Sequence, residues 1–169
     1  AIGNSAFNFT DDVIIAGDLS FTGGGVYLGG TGSANYLDDY EEGTWTPTVV
    51  ANTGAALTGI SYTSQKGDYT KVGNVVHVGI TISFTANSGL SMGRISLPIT
   101  IGGTVGNYPA SAITAIYVDF SGGTYVLGYT TTGYSYITLT SNGDGVAQAN
   151  PKTTTGAMLF RVSLTYRTA

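Results

Sequence analysis

Val75-Val76-His77-Val78-Gly79-Ile80-Thr81-Ile82-Ser83-Phe84 is the stretch on which the fold turns. Its apolar residues recur at every second position, so Val76, Val78, Ile80, Ile82 and Phe84 share one face of an extended chain. Val75, His77, Gly79, Thr81 and Ser83 share the other. A period of two is the side-chain period of a strand with one face buried and one solvated. The C-terminal stretch repeats the pattern: Met158, Phe160, Val162, Leu164 and Tyr166 alternate with Leu159, Arg161, Ser163, Thr165 and Arg167, which predicts a long central strand over 157–167.

Outward from these two strands the same rule predicts further ones. Thr44 to Ala51 reads as a strand interrupted by Pro47, which lacks a backbone donor and belongs at an edge or a strand start. Ile60 to Gln65 and Asp68 to Val72 flank Lys66-Gly67, a plausible hairpin turn. Arg94 to Ile101, Ile113 to Phe120, Thr124 to Thr130 and Tyr134 to Thr140 follow, with irregular connections at Gly102 to Ser111 and Ser141 to Pro151. Charged residues make up 9% of the chain and 26 of its 169 residues are Gly, so helix formers are scarce while β-branched and aromatic residues abound. The expected class is all-β, with residues 44–169 forming a jelly-roll-like antiparallel β-sandwich.

Residues 1–36 have a different character. Short apolar pairs, Val13/Ile15, Leu19/Phe21 and Val26/Leu28, are separated by Gly- and Asp-bearing turns. One chain cannot close a core from so few apolar residues. Three chains sharing an axis could, which predicts a homotrimeric β shaft over 1–36; a flexible Gly-rich linker is the alternative, against which the phased pairs argue. Residues 37–47 would connect this shaft to the head, with Trp45, the single Trp, as a buried anchor of the head's core. Charge divides at the same place. Asp11, Asp12, Asp18, Asp38, Asp39, Glu41 and Glu42 give the first 42 residues −7, and the remainder carries +3, together the −4 of the chain. No run of Lys or Arg suits nucleic acid, and no apolar run of about 18 residues suits membrane insertion.

Two segments carry a resemblance. Tyr36-Leu-Asp-Asp-Tyr-Glu-Glu-Gly-Thr-Trp-Thr-Pro47 resembles a motif of bacteriophage tail fibre and tailspike proteins that lies just before a C-terminal β domain. Gly67-Asp-Tyr-Thr-Lys-Val-Gly-Asn-Val-Val-His-Val78 is similar to the strand pair that follows it in those proteins. The resemblance implies a non-enzymatic receptor-binding head on the virion tail, outside the cell, joined to the rest of the fibre. It would attach to a host cell-surface glycan or outer-membrane component. A structural trimerisation domain that registers the chains of a fibre is the alternative, and a fragment of a polysaccharide-degrading tailspike a further one.

The residues give little chemistry to set against adhesion. There is no Cys and one His, His77, so an activated nucleophile lacks its parts. Zinc ligation lacks its donors, and no cofactor is expected. Asp38, Asp39, Glu41 and Glu42 are the one acidic cluster, read as capping, turn or inter-subunit groups because adjacent residues point in different directions. Asp144 in its Gly-rich turn reads as a turn residue. Tyrosine is the conspicuous residue, 12 in all, and its flat ring with a hydroxyl suits sugars and protein partners alike. Receptor contact is assigned to Asn107, Tyr108, Tyr129 and Tyr134, which lie in or beside the irregular connections.

Overall fold

A computed structural model describes residues 9–22, 24–37, 39–87, 89–103, 110–116, 118–119, 125–143 and 146–168. Asn107, Tyr108, Asp38 and Asp144 lie outside the described residues. Two compact units are present, residues 1–38 and 39–169.

In the first unit, β1 (Val26–Tyr27) pairs antiparallel with β2 (Tyr36–Leu37) across a loop that holds a short 3₁₀ turn, Ser33–Asn35. The Tyr27 and Tyr36 rings lie 4.8 Å apart, and the Gly25 amide donates to the Tyr36 hydroxyl at 2.6 Å. Val13/Ile15 and Leu19/Phe21, expected in strands, are not in strands within this chain. Strand geometry needs a partner to satisfy its backbone groups, and residues 9–22 find none among the described residues. Their side chains are exposed: Val13 53%, Ile14 93%, Leu19 62% and Phe21 55%.

The second unit is all-β and antiparallel, as expected. Its strands are β3 (Tyr40–Trp45), β4 (Val49–Val50), β5 (Ile60–Val72), β6 (Val75–Ala86), β7 (Arg94–Ser96), β8 (Ala110–Ile116), β9 (Val118–Asp119), β10 (Tyr125–Thr130), β11 (Tyr136–Gly143), β12 (Val146–Ala149), β13 (Lys152–Thr153) and β14 (Gly156–Arg167). Ten of them form one sheet, nine along the path β3-β5-β6-β14-β8-β10-β11-β7-β4 and β12 beside β11; β9 and β13 pair separately. The two sequence-defined strands meet at the centre, β6 and β14 pairing over their whole length from Gly156↔Ala86 to Arg167↔Val75. β8 is the corner, because Ala112 to Ile116 pair with β14 while Ala110 and Ser111 pair with β10. The inward residues of both halves make one core, in which Val76, Ile82, Phe84, Ile95, Ile137, Leu139, Met158 and Phe160 are fully buried. Phe84 and Phe160 stack at 6.3 Å.

The two ends of the path belong to consecutive strands, β3 and β4, separated only by Thr46-Pro47-Thr48. The expected strand from Thr44 to Ala51 is therefore two strands on opposite edges, and Pro47, buried and without an N–H, sits where the chain crosses. Side chains join the edges: Gln65 Nε2 donates to the Pro47 carbonyl at 2.9 Å, the Val49 amide to the Tyr62 hydroxyl at 2.9 Å, and the Thr48 amide to Ser96 Oγ at 2.9 Å.

Three further expectations are corrected. Lys66-Gly67 is no hairpin turn but the middle of the 13-residue β5, paired with Trp45 on one side and Ile80 on the other. Gly67 is there for space: a Cβ would stand 2.7 Å from the Trp45 ring, which lies across it. The strand from Arg94 to Ile101 ends at Ser96, after which the chain continues through single bonds such as Leu97 N–H to the Ser135 carbonyl at 2.9 Å. The expected loop from Ser141 to Pro151 holds β12 and the end of β11.

Candidate functional site

Alternation along β10 and β11 sends Val126, Gly128, Ile137 and Leu139 into the core and leaves Leu127, Tyr129, Tyr136 and Thr138 on the outer face. Tyr129 stands opposite Thr138, and Thr138 opposite Arg94 of β7, so a ring, a hydroxyl and a guanidinium follow one another across three strands. Two loops raise a rim. The turn after β4 is closed by the Gly54 amide on the Ala51 carbonyl at 2.8 Å and carries Asn52. It rests on Gly93, where a Cβ would come within 2.2 Å of Asn52 backbone atoms, so no other residue fits. From the other side, Ser141 Oγ and Thr140 Oγ1 both donate to the Ala149 carbonyl, at 3.0 and 3.4 Å, which fixes the segment bearing Asn150.

The result is an open recess of about 340 Å³ lined by Tyr129, Thr138, Thr140, Asn52 and Asn150. Its size falls in the range of small-ligand sites, roughly 300–1,000 Å³. Two amides and the Thr138 hydroxyl offer donors and acceptors, and Tyr129, 39% exposed, borders them.

Beside the recess lies an aromatic group. The Tyr134 and Tyr136 rings are 4.9 Å apart, and the Arg94 guanidinium carbon is 4.0 Å from the centre of the Tyr136 ring. Tyr134, 48% exposed, is held by the turn in which its amide meets the Thr131 carbonyl at 3.3 Å. Burial pushes the Tyr136 phenol up, the Arg94 charge pulls it down, and the neighbouring Tyr134 and Tyr129 push it up again. Of the four expected contact residues, then, Tyr129 lines the recess and Tyr134 stands on its shoulder. Arg94, Asn52, Asn150 and Thr138 were not singled out in the sequence. Thr138 was legible, since Tyr136, Thr138 and Thr140 share the outer face of one alternating strand; the others reach the site through pairings between distant segments.

A second recess, about 510 Å³, opens at the β3 edge and is lined by Trp45, Gln65, Lys66 and Asp68 among others. Trp45 is half-buried rather than wholly buried as expected, because β3 is an edge strand with no neighbour to cover the indole. Its Nε1 donates to the Ser96 carbonyl at 3.4 Å, and its ring meets Tyr69 edge-on at 6.2 Å.

The acidic motif is dispersed by the strand it forms. Tyr69 donates to Glu41, Tyr40 donates to Glu42 at 2.7 Å, and Lys71 pairs with Asp39. Both phenols are held above the ordinary range, chiefly by the hydrogen bond to the carboxylate. His77 is exposed on the outer face of β6, with Nδ1 3.0 Å from Thr165 Oγ1. Among the described residues no group of three or more His, Cys, Asp or Glu is placed to hold a metal ion. Comparison of the chain with protein families, curated proteins and solved structures finds no match.

Proposed function

We propose that the chain is the terminal part of a homotrimeric, non-enzymatic viral tail fibre or tailspike. Its head, of jelly-roll type, attaches to a glycan on the host surface, and residues 1–36 form a shared shaft. The observation that carries the reading is the recess at Tyr129, where amides, hydroxyls and a ring converge on an outer face of the sheet. Sugars present many hydroxyls, and this polar lining of amides and hydroxyls matches them. Among the described residues the lining holds no carboxylate or imidazole, which suits holding a ligand rather than cleaving it. The resemblance of residues 36–47 and 67–78 to tail fibre segments supplies the viral setting. Single-head affinity would be weak, and three heads on one fibre would raise it by simultaneous binding.

The test is a glycan array probed with the labelled full chain, followed by titration of the hits. Tyr129→Ala and Asn52→Ala should each weaken binding by about 1–3 kcal/mol with melting unchanged. Binding indifferent to both variants overturns the assignment of the recess. A second reading, a registration domain for a fibre, is favoured by the exposed Val13, Ile14, Leu19 and Phe21; it expects a stable trimer and no glycan on the array.

A further inference from the structure

Arg94 is a charged side chain of this face that has no ionic partner among the described residues. The one ion pair among those residues is Lys71 with Asp39, so Arg94 has no carboxylate partner there. Its Nε is buried and unbonded. Withholding a partner from a half-buried guanidinium costs free energy, and such an orphan calls for a reason. Its surroundings hold it in place instead. The Tyr136 ring lies 4.0 Å from the guanidinium carbon, and Nη1 would be 3.3 Å from a Cβ at Gly54, so the group sits between an aromatic ring and a turn. A guanidinium carries its N–H fork in its own plane, the geometry that accepts a carboxylate through two parallel bonds. Arg94 is also paired in register with Thr138, which lines the recess. The lining holds no carboxylate among the described residues, so an arriving anion meets no like charge there.

We infer that the recess takes an acidic sugar, its ring beside Tyr129 and its carboxylate on Arg94. This deepens the glycan-binding reading and rests on it. The anionic group singles out uronic and sialic acid residues over neutral hexoses, and the stacked, partly desolvated position makes the charge count for more than it would in open water.

The experiment titrates the full chain calorimetrically with tetragalacturonate and with an α2,8-linked sialic acid tetramer, each beside its methyl ester. Esterification removes the charge and keeps the ring. Maltotetraose serves as a neutral sugar. At least one acid should bind about tenfold or more tighter than its ester, the scale of a charge-assisted hydrogen bond, and the gap should narrow as salt rises. Arg94→Gln should erase the gap, and Arg94→Lys, which keeps the charge but not the fork, should recover only part of it. Near-equal affinity of every acid and its ester, or a gap that survives Arg94→Gln in a protein that melts normally, overturns the inference. Binding of maltotetraose or the esters alone also overturns it while leaving the glycan-binding reading in place. No binding by any saccharide here or on the array overturns both.

Discussion

At the scale of the residue, Gly67 and Tyr166 carry the sharpest consequences. The Trp45 ring occupies the space a Cβ at position 67 would need, 2.7 Å away. Gly67→Ala should therefore displace the indole, at about 1–3 kcal/mol as overpacking costs, with a red shift of the single-Trp fluorescence that equilibrium denaturation and emission spectra would check. An unshifted spectrum would mean that the ring does not lie on Gly67. Tyr166 is 2% exposed, and its hydroxyl donates to the Ile99 carbonyl at 3.0 Å. Burial pushes its phenol up to about 12. A folded value above the unfolded one, near 10, means that the native state keeps its proton longer. Its contribution is thus fully present below about pH 10 and lost as pH rises toward 12, with a slope of at most about 1.4 kcal/mol per pH unit. Tyr166→Phe has nothing to ionise, so its stability should fall less steeply in that window, measured by urea unfolding at stepped pH.

At the scale of the element, the seam between the β3/β5 edge and the β4/β7 edge separates what the sequence shows from what it hides. Strands β6 and β14 were readable because their period of two is unbroken for ten residues or more, and local pattern decides them. The path of β5 was not. Lys66-Gly67 has the composition of a turn, but it runs straight because Trp45, 22 positions earlier in the chain, lies across Gly67 and Ile80 pairs with it. That information is tertiary. Pro47 was legible as an edge signal, though not as the crossing between two edges. The seam itself yields a prediction. The Val49 amide has the Tyr62 hydroxyl as its partner at 2.9 Å, and Val49 is buried. Tyr62→Phe keeps the ring against Phe84, 5.8 Å away, but orphans that donor. A loss of about 1–3 kcal/mol follows from leaving a buried amide unsatisfied, with amide exchange quickening at Val49 before the β6/β14 centre. Uniform exchange across the sheet would show that the seam is not a separate point of weakness.

At the scale of the whole molecule, the two units make opposite use of their apolar residues. The core from Val49 to Tyr166 is closed within one chain, so the second unit has what it needs to stand alone. In residues 9–22 the apolar side chains of Val13, Ile15, Leu19 and Phe21 are 48–62% exposed, and these phased pairs meet no strand partner among the described residues. Partner copies are the economical source of one. Each such side chain, once buried, is worth about 1.5–3 kcal/mol, and three chains contributing several each would exceed the several kcal/mol that association costs. The expected mass in sedimentation at micromolar concentration is accordingly three times 17.3 kDa. Replacing Val13, Ile15, Leu19 and Phe21 together by Ser should return the monomer mass while the second unit keeps its melting transition, since none of the four belongs to its core. The same variant separates binding from avidity: it should retain the affinity of one recess for a soluble oligosaccharide and lose tight attachment to a surface that displays many copies. A trimer that survives all four substitutions would place the subunit contacts on the head, and the outer face of β5, β6 and β14, which carries His77 and Thr165, is the surface on which to look for them next.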